Sequence, residues 1–298
     1  MKLRHEFPAT LYDRAVAAEK PVPGGVHILG IPFDGTACFR KGTLKGPDAI
    51  RYNSQHIETY SPSLDLEMED YDNLYDLGNY YPPLKWFVEP DGQATAPIFD
   101  MVGDPLELAR NHSRIMVLGG EHSVSYGPLV HVLRAHEDCL VLHLDAHGDL
   151  RDGYEGYHYS HASVIRRVLE HFGPGHTLVQ GQIRSGTRDE FRTMRQGGTL
   201  VESLQDLYAF LERVPPRRPV YLTLDLDWFD PACLPGTGTP EPGGVSFADF
   251  IPLVQILRNL NLVGCDVVEL APELDPTGVS SVLSAKVVRD LLLVLCAQ

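Results

Sequence analysis

LHLDAHGDLRD, residues 142–152, is the stretch whose reading decides the fold. With Leu140 and Val141 before it, its apolar start reads as a short buried strand, and where the run stops the chain delivers Asp145, His147 and Asp149 in strict alternation. Successive strand side chains point to opposite faces, so alternate positions share one. Extended backbone through residue 149 projects two carboxylates and an imidazole from one side of a strand end. Oxygen and nitrogen donors grouped in this way are metal ligands by type. A single D-x-H-x-D also occurs where a strand merely meets a solvated loop, so the stretch needs partners elsewhere in the chain.

Working outward, three further apolar runs end in side chains of the same kind. Residues 115–118 form a strand running into GGEHSVSYG, where His122 follows two glycines whose missing side chains allow a tight turn. Residues 220–224 form a strand ending in DLDWFDP, so that Asp225 and Asp227 share a face by the same alternation. The last strand, 262–270, carries Glu269 at its end. Residues 160–172 read as a helix with Val164, Ile165, Val168 and Leu169 on its apolar side. His161 sits near its start, where the helix dipole disfavours the protonated imidazole. Such a histidine can take up or hand on a proton, with His158 a rival in the same loop. His143 shares parity with Asp145 but lies deeper in the sheet, and is read as a buried, hydrogen-bonded structural residue.

Strand, polar turn and helix alternate elsewhere too, with strands at 26–31 and 177–183 and helices from Pro47 and at 105–111, 125–136 and 280–296. This pattern implies a parallel sheet with right-handed crossovers. Residues 58–83 break it with acidic residues interleaved with tyrosines, and read as a long surface excursion bordering an entrance or a subunit contact. PACLPGTGTPEPGG at 231–244 carries no Lys or Arg, so it reads as a rigid pocket wall and not as a phosphate cradle.

With 298 residues, 43% of them apolar, and no internal linker, the chain is expected to form one domain over 1–298 with a large core. No apolar run is long enough to span a bilayer and residues 1–10 are charged rather than signal-like, so a soluble cytoplasmic protein is expected. Cys38, Cys139, Cys233, Cys265 and Cys296 make no C-x-x-C pair and read as reduced, mostly core thiols. A formal charge of −15 argues against nucleic acid as a partner and suits a small cationic substrate.

In open parallel sheets ligands bind beyond the carboxyl ends of the strands, where His122, Asp145, His147, Asp149, Asp225, Asp227 and Glu269 would meet. Their carboxylates cannot all stay ionised in one cleft without cations. So many ligands exceed what one catalytic ion with an open position needs, so two divalent metals are expected. The preponderance of carboxylates, without cysteine, favours Mn²⁺ over Zn²⁺.

The same segments carry a family resemblance: the chain resembles the ureohydrolases of the arginase and agmatinase family. GGEHS at 119–123, DAHGD at 145–149 and LDLDWFDPACLPGTGTPEPGG at 224–244 match three family motifs in order. GIPFDGT at 30–36, GPDAIR at 46–51 and VELAP at 268–272 extend the match over nearly the whole chain. The resemblance implies a three-layer αβα sandwich around a central, mostly parallel sheet, a dinuclear Mn²⁺ centre, and a homo-oligomer, trimer or hexamer. Carried over position by position, it assigns His122, Asp145, Asp149 and Asp225 to one manganese. It assigns Asp145, His147, Asp225 and Asp227 to the other, with Asp145 and Asp225 bridging. In the family, hydroxide held between the metals attacks the guanidinium carbon. Asp149 would orient it while ligating, His161 aligns with the proton-shuttling histidine, and Glu269 with the carboxylate that pairs the guanidinium. Two departures stand out: Ala162 follows His161 where most relatives have glycine, and Gln182 stands where glycine is usual.

By the same resemblance, the loop before His161 is expected to read the tail of the substrate. Tyr157 and Tyr159 stand where arginases carry polar groups for the α-carboxylate and α-amino group, which disfavours arginine. Asp152 and Glu155, with aromatic neighbours, are the expected substrate-binding residues for a distal ammonium, with Arg151 opposing them unless it points away or is paired. The expected reaction is agmatine plus water to putrescine plus urea. Hydrolysis of N1-aminopropylagmatine to spermidine stands next, then of arginine or a guanidino acid. One-metal deacetylases of the same fold are the alternative from another mechanistic class.

Overall fold

Leu140–Leu144 is a strand buried at every position, and its neighbours on both sides are parallel to it. This is a computed structural model, and it describes residues 11–88 and 104–298; the charged start at 1–10 lies outside the described residues. The strands are β1 (Val16–Ala17), β2 (Val26–Ile31), β3 (Tyr60–Ser61), β4 (Leu66–Glu67), β5 (Leu74–Asn79) and β6 (Arg114–Gly119). They continue with β7 (Leu140–Leu144), β8 (Thr177–Gly181), β9 (Leu200–Val201), β10 (Pro219–Asp225) and β11 (Asn261–Val268). One nine-stranded sheet runs in the order β1, β5, β2, β6, β11, β10, β7, β8, β9, with every neighbouring pair parallel.

Alternation along the central strands divides the apolar residues between two cores. Leu140, Leu142, Leu144, Val220, Leu222 and Leu224 belong to one, shared with α1 (Gly46–Ser54), α6 (Leu204–Leu211), α7 (Phe247–Leu257) and α8 (Val279–Cys296). Val141 and Tyr221 belong to the other, shared with α3 (Tyr126–Ala135) and α4 (Val164–Leu169). Helices α2 (Pro105–Arg110) and α5 (Arg188–Gly197) complete the described set. A sheet covered on both faces gives three layers, as the family resemblance implies. It is also why the central strands read as continuous apolar runs.

β6, β11, β10 and β7 are consecutive neighbours in the sheet. Being parallel, they end on one edge, and just past their ends come His122, Glu269, Asp227 and Asp145. The fold thus converts four separate sequence signals into one locus.

Three expectations need correction. Within residues 58–83, taken as a surface excursion, β5 is a strand of the main sheet between β1 and β2. Its signal was masked because Asp76 and Asn79 are buried polar residues, satisfied by Arg51: Nε and Nη2 donate to Asp76 at 2.9 Å each, and Nη1 to Asn79 Oδ1 at 2.6 Å. The strand expected over 177–183 stops at Gly181, since Gln182 takes a left-handed φ of 67°, which explains why glycine suits that position. The helix expected over 160–172 is a short 3₁₀ turn, His161–Ser163, followed by the short α4. No helix among the described residues is long and apolar enough to cross a membrane.

Candidate metal centre and its cavity

Two aspartates build the two acidic turns by the same local hydrogen bond. Asp145 Oδ1 accepts the backbone N–H of His147 at 2.6 Å, and Asp225 Oδ1 accepts that of Asp227 at 2.8 Å. Each bond closes a turn immediately after a strand, the habit of aspartate that competes with further extension. Alternation therefore does not continue as the sequence reading required. Asp227 sits in the 3₁₀ turn Leu226–Trp228, and Asp149 reaches the cluster through a left-handed φ of 52°. The side chains converge all the same, by turns and not by a shared strand face.

His122 Nδ1 lies 3.0 Å from Asp145 Oδ2, 3.1 Å from Asp149 Oδ2 and 3.3 Å from Asp225 Oδ2. One ring nitrogen has one lone pair or one proton, so it cannot satisfy three carboxylates. His147 Nδ1 lies 3.0 Å from Asp227 Oδ2 and 3.5 Å from Asp145 Oδ1. Two donor sets result, one with His122, His143, Asp145 and Asp149, the other with Asp145, His147 and Asp227, and Asp145 belongs to both. Oxygen and imidazole donors so close together, all but His147 buried, fit a pair of divalent cations.

Electrostatics point the same way. Burial, then the charges of Asp227 and Asp145, push the Asp225 carboxyl well above its ordinary range; burial and Asp145 raise Asp149. Asp145 is held well below the usual range: burial opposes its charge, but hydrogen bonds with His122, His143 and His147 outweigh it. Burial and the neighbouring Glu121 raise Glu269 strongly. Carboxylates crowded into a dry cleft are short of positive charge.

Glu269, just past β11 at a left-handed φ of 69°, is anchored by the His122 backbone N–H, which donates to Oε1 at 2.7 Å. His143 is fully buried, with Nε2 2.8 Å from Asp145 Oδ2 and Nδ1 3.1 Å from Gln180 Nε2. Because the Gln180 amide donates to Nδ1, His143 donates through Nε2 and steadies Asp145. It belongs to the support of the cluster, as its depth in the sheet implied.

His161 lines the same cavity as His122, His147, Asp149, Asp225 and Glu269. Its backbone N–H donates to Thr36 Oγ1 at 3.2 Å, and its Nδ1 has no hydrogen-bond partner among the described residues. Burial, reinforced by His147, His122 and Arg151, pulls its imidazole down to about 4. The neutral ring expected from the sequence therefore owes more to burial than to a helix end. The cavity, about 270 Å³, suits a small linear ligand.

At the outer end the structure separates the expected residues. Asp152 is exposed and paired to Arg167, and it does not line the cavity. Glu155 is also exposed and outside the lining, though its charge helps raise the Cys38 thiol at the cavity wall, after burial. Arg151 does line the cavity, its guanidinium 4.5 Å from the Tyr154 ring centroid and Nε 3.9 Å from Glu190 Oε2. Arg151 is therefore paired. Sequence reasoning missed Tyr154 and Glu190 here, and Thr223, Gln180 and Arg184 behind the cluster. Thr223 carried a readable signal, the same parity before Asp225 that His143 has before Asp145.

Arg184 locks the centre from outside. Its Nη2 donates to the carbonyls of Asp227 at 2.6 Å and Glu241 at 2.8 Å, tying the acidic turn to the Pro/Gly loop. That loop is a pocket wall, as its composition suggested, with Thr239 in the lining.

The sequence model of the arginase family matches residues 25–294. Agmatinase of Bacillus cereus is 37% identical over 273 residues, covering 90% of this chain and 91% of that protein. N(1)-aminopropylagmatine ureohydrolase of Thermococcus kodakarensis is 32% identical over 288 residues, covering 94% and 91%. The crystal structure of agmatine ureohydrolase of Thermoplasma volcanium superposes with a TM-score of 0.76 at 27% identity, covering 95% of this chain and 90% of that one. Motifs, parallel sheet and paired donor sets agree with these likenesses: the chain belongs to the arginase family and is a ureohydrolase.

Proposed function

We propose that this chain hydrolyses the guanidinium group of agmatine, giving putrescine and urea, at a centre of two Mn²⁺ ions. The observation that carries the reading is the convergence of three carboxylate oxygens on His122 Nδ1 within 3.3 Å, next to the His147 and Asp227 pair. His122, Asp145, Asp149 and Asp225 would hold one ion, and Asp145, His147, Asp225 and Asp227 the other. An all-oxygen and imidazole donor set supports manganese. Bound there, the ions supply the charge that lowers the pKa of water to make a nucleophile at neutral pH.

The chain's own residues divide the remaining work. Glu269, whose Oε1 is occupied by the His122 N–H, offers its second oxygen to the guanidinium, and the arriving cation offsets the cost of its ionised form. Asp149 is assigned to orient the attacking water. His161, neutral at neutral pH, is assigned to take up the proton that the attacking water gives off and hand it to the leaving amine, which returns the ring to its neutral form. A cationic tail is favoured by the relatives that act on agmatine and by the carboxylate-rich cavity, in which Arg151 is already paired. The Thermococcus relative supports N1-aminopropylagmatine as the second reading. The family resemblance further supports one ureohydrolase domain over 1–298, acting as a cytoplasmic trimer or hexamer.

The test is urea release by manganese-loaded protein from agmatine, N1-aminopropylagmatine, arginine and 4-guanidinobutyrate, compared as kcat/KM. Agmatine is expected to lead. A lead for the aminopropyl compound moves the assignment to the second reading, and no urea from any of the four overturns it.

A further inference from the structure

Behind His122, away from the cavity, three buried side chains form a line that the ligand assignments do not use. His122 Nε2 lies 2.9 Å from Thr223 Oγ1, and Thr223 Oγ1 lies 2.6 Å from Asp266 Oδ1. Ser125 Oγ also donates to Asp266 Oδ1, at 2.9 Å. Thr223, Ser125 and Asp266 are all 0% exposed. Asp266 is a fully buried carboxylate outside the metal-facing set, on a strand where an apolar residue would pack at less cost.

We propose that Asp266 and Thr223 are positioning residues that fix the orientation and proton of His122, so that its Nδ1 lone pair faces the metal. The polarity follows from counting hydrogens. Asp266 Oδ1 already receives Ser125 and sits 2.6 Å from the Thr223 oxygen, so the single hydroxyl hydrogen of Thr223 goes to Asp266. Thr223 then has lone pairs alone to offer His122, and Nε2 must be the protonated nitrogen. Nδ1, on the opposite side, is left to meet Asp145, Asp149 and Asp225. A histidine ligand held through its outer nitrogen binds metal better, because ring orientation and basicity are set in advance. The two sites are unequal in this respect: the outer nitrogen of His147 faces Glu241 Oε1 at 3.9 Å, beyond hydrogen-bond reach.

The inference rests on the metal reading of the cluster, and two measurements separate them. Thr223→Val keeps the shape and β preference of the residue and removes the acceptor. In stepwise Mn²⁺ titration of full-length protein it is expected to weaken one of two binding steps by about 10- to 100-fold. The other step stays as in wild type, and Thr223→Ser restores both. In the metal-free, ¹⁵N-histidine-labelled protein, the His122 Nε2 proton is expected as a slowly exchanging resonance that shifts in Thr223→Val and returns in Thr223→Ser. That readout stands even if wild type binds no manganese, a result that would sink the metal reading alone. Asp266→Asn keeps an acceptor oxygen while removing the charge, serves if the valine variant misfolds, and is expected to weaken the same single step. Wild-type affinity at both steps in Thr223→Val with an unmoved Nε2 proton overturns the proposal, as does equal weakening of both steps with a lowered Tm.

Discussion

The backbone N–H of Ala146 donates to Asp227 Oδ1 at 3.0 Å, so the turn after β7 is bonded directly to a candidate ligand in the turn after β10. The two acidic turns are therefore one mechanical unit before any metal binds. Arg184 extends it, since its own N–H donates to the Ala146 carbonyl at 2.8 Å while its guanidinium holds the Asp227 carbonyl. Preorganisation of this kind spares the ligands the entropy of finding one another.

Asp227→Ala removes a proposed ligand of one ion and the acceptor of the Ala146 N–H. Manganese content is expected to fall from two towards one per chain, with turnover reduced by about 100-fold or more and the circular dichroism spectrum unchanged. Elemental analysis beside a urea assay checks it. Full activity with two metals bound excludes the two-ion assignment.

His161→Asn separates proton transfer from metal binding. His161 lines the cavity but belongs to neither donor set. Loss of a positioned acid–base group costs about 10²- to 10⁴-fold in kcat. That loss is expected here with metal content and KM for agmatine close to wild type. A variant that also loses metal shows that His161 does structural work in the cluster.

Much of this candidate centre was legible because its acidic and imidazole side chains follow apolar runs, and a parallel sheet collects strand ends on one edge. Local conformation was not legible. The D-x-H-x-D and D-x-D spacings suggested strand alternation, whereas Asp145 and Asp225 fold back on their own backbone to make turns. Strand β5 was hidden because its buried Asp76 is matched by Arg51, a partner 25 residues away that no local pattern announces. At the cavity mouth, Arg151, Asp152 and Glu155 are near neighbours in sequence, and which of them faces inward depends on Arg167 and Tyr154, which claim Asp152 and Arg151.

Tail recognition follows from that arrangement. Arg151→Ala removes a cation from the cavity lining and is expected to raise kcat/KM for agmatine relative to 4-guanidinobutyrate by roughly fivefold, the scale of a partly screened charge. Asp152→Ala, whose carboxylate is turned to Arg167, is expected to leave that ratio within about twofold. Parallel kinetics on the two substrates decide it. A large effect from Asp152 instead restores it as a substrate contact.

Arg51→Ala tests the buried pair that holds β5 in the sheet. It leaves Asp76 as a buried carboxylate stripped of its two guanidinium bonds. Breaking such a pair from one side costs about 3–5 kcal/mol. Urea denaturation of the variant is expected to show a loss of that size. A change below about 1 kcal/mol, the worth of a surface pair, means that Asp76 finds other partners.

Acid sensitivity has a source outside the centre. His131, in α3 and 3% exposed, is pulled down to about 4 by burial, with Arg134 adding to the effect and Asp104 opposing it. In the unfolded chain the same imidazole takes its proton near pH 6.5. Between those values the unfolded state binds the proton and the folded state resists it. The stability given by the neutral ring is therefore complete above about pH 6.5 and lost as pH falls towards 4. A difference of this size corresponds to roughly 3 kcal/mol. His131→Leu has nothing to titrate, so its denaturation midpoint is expected to fall less than that of wild type between pH 7 and pH 5. Since carboxylates elsewhere titrate equally in both proteins, the difference between the two slopes isolates His131. Parallel slopes show that it is solvated or paired in its protonated form.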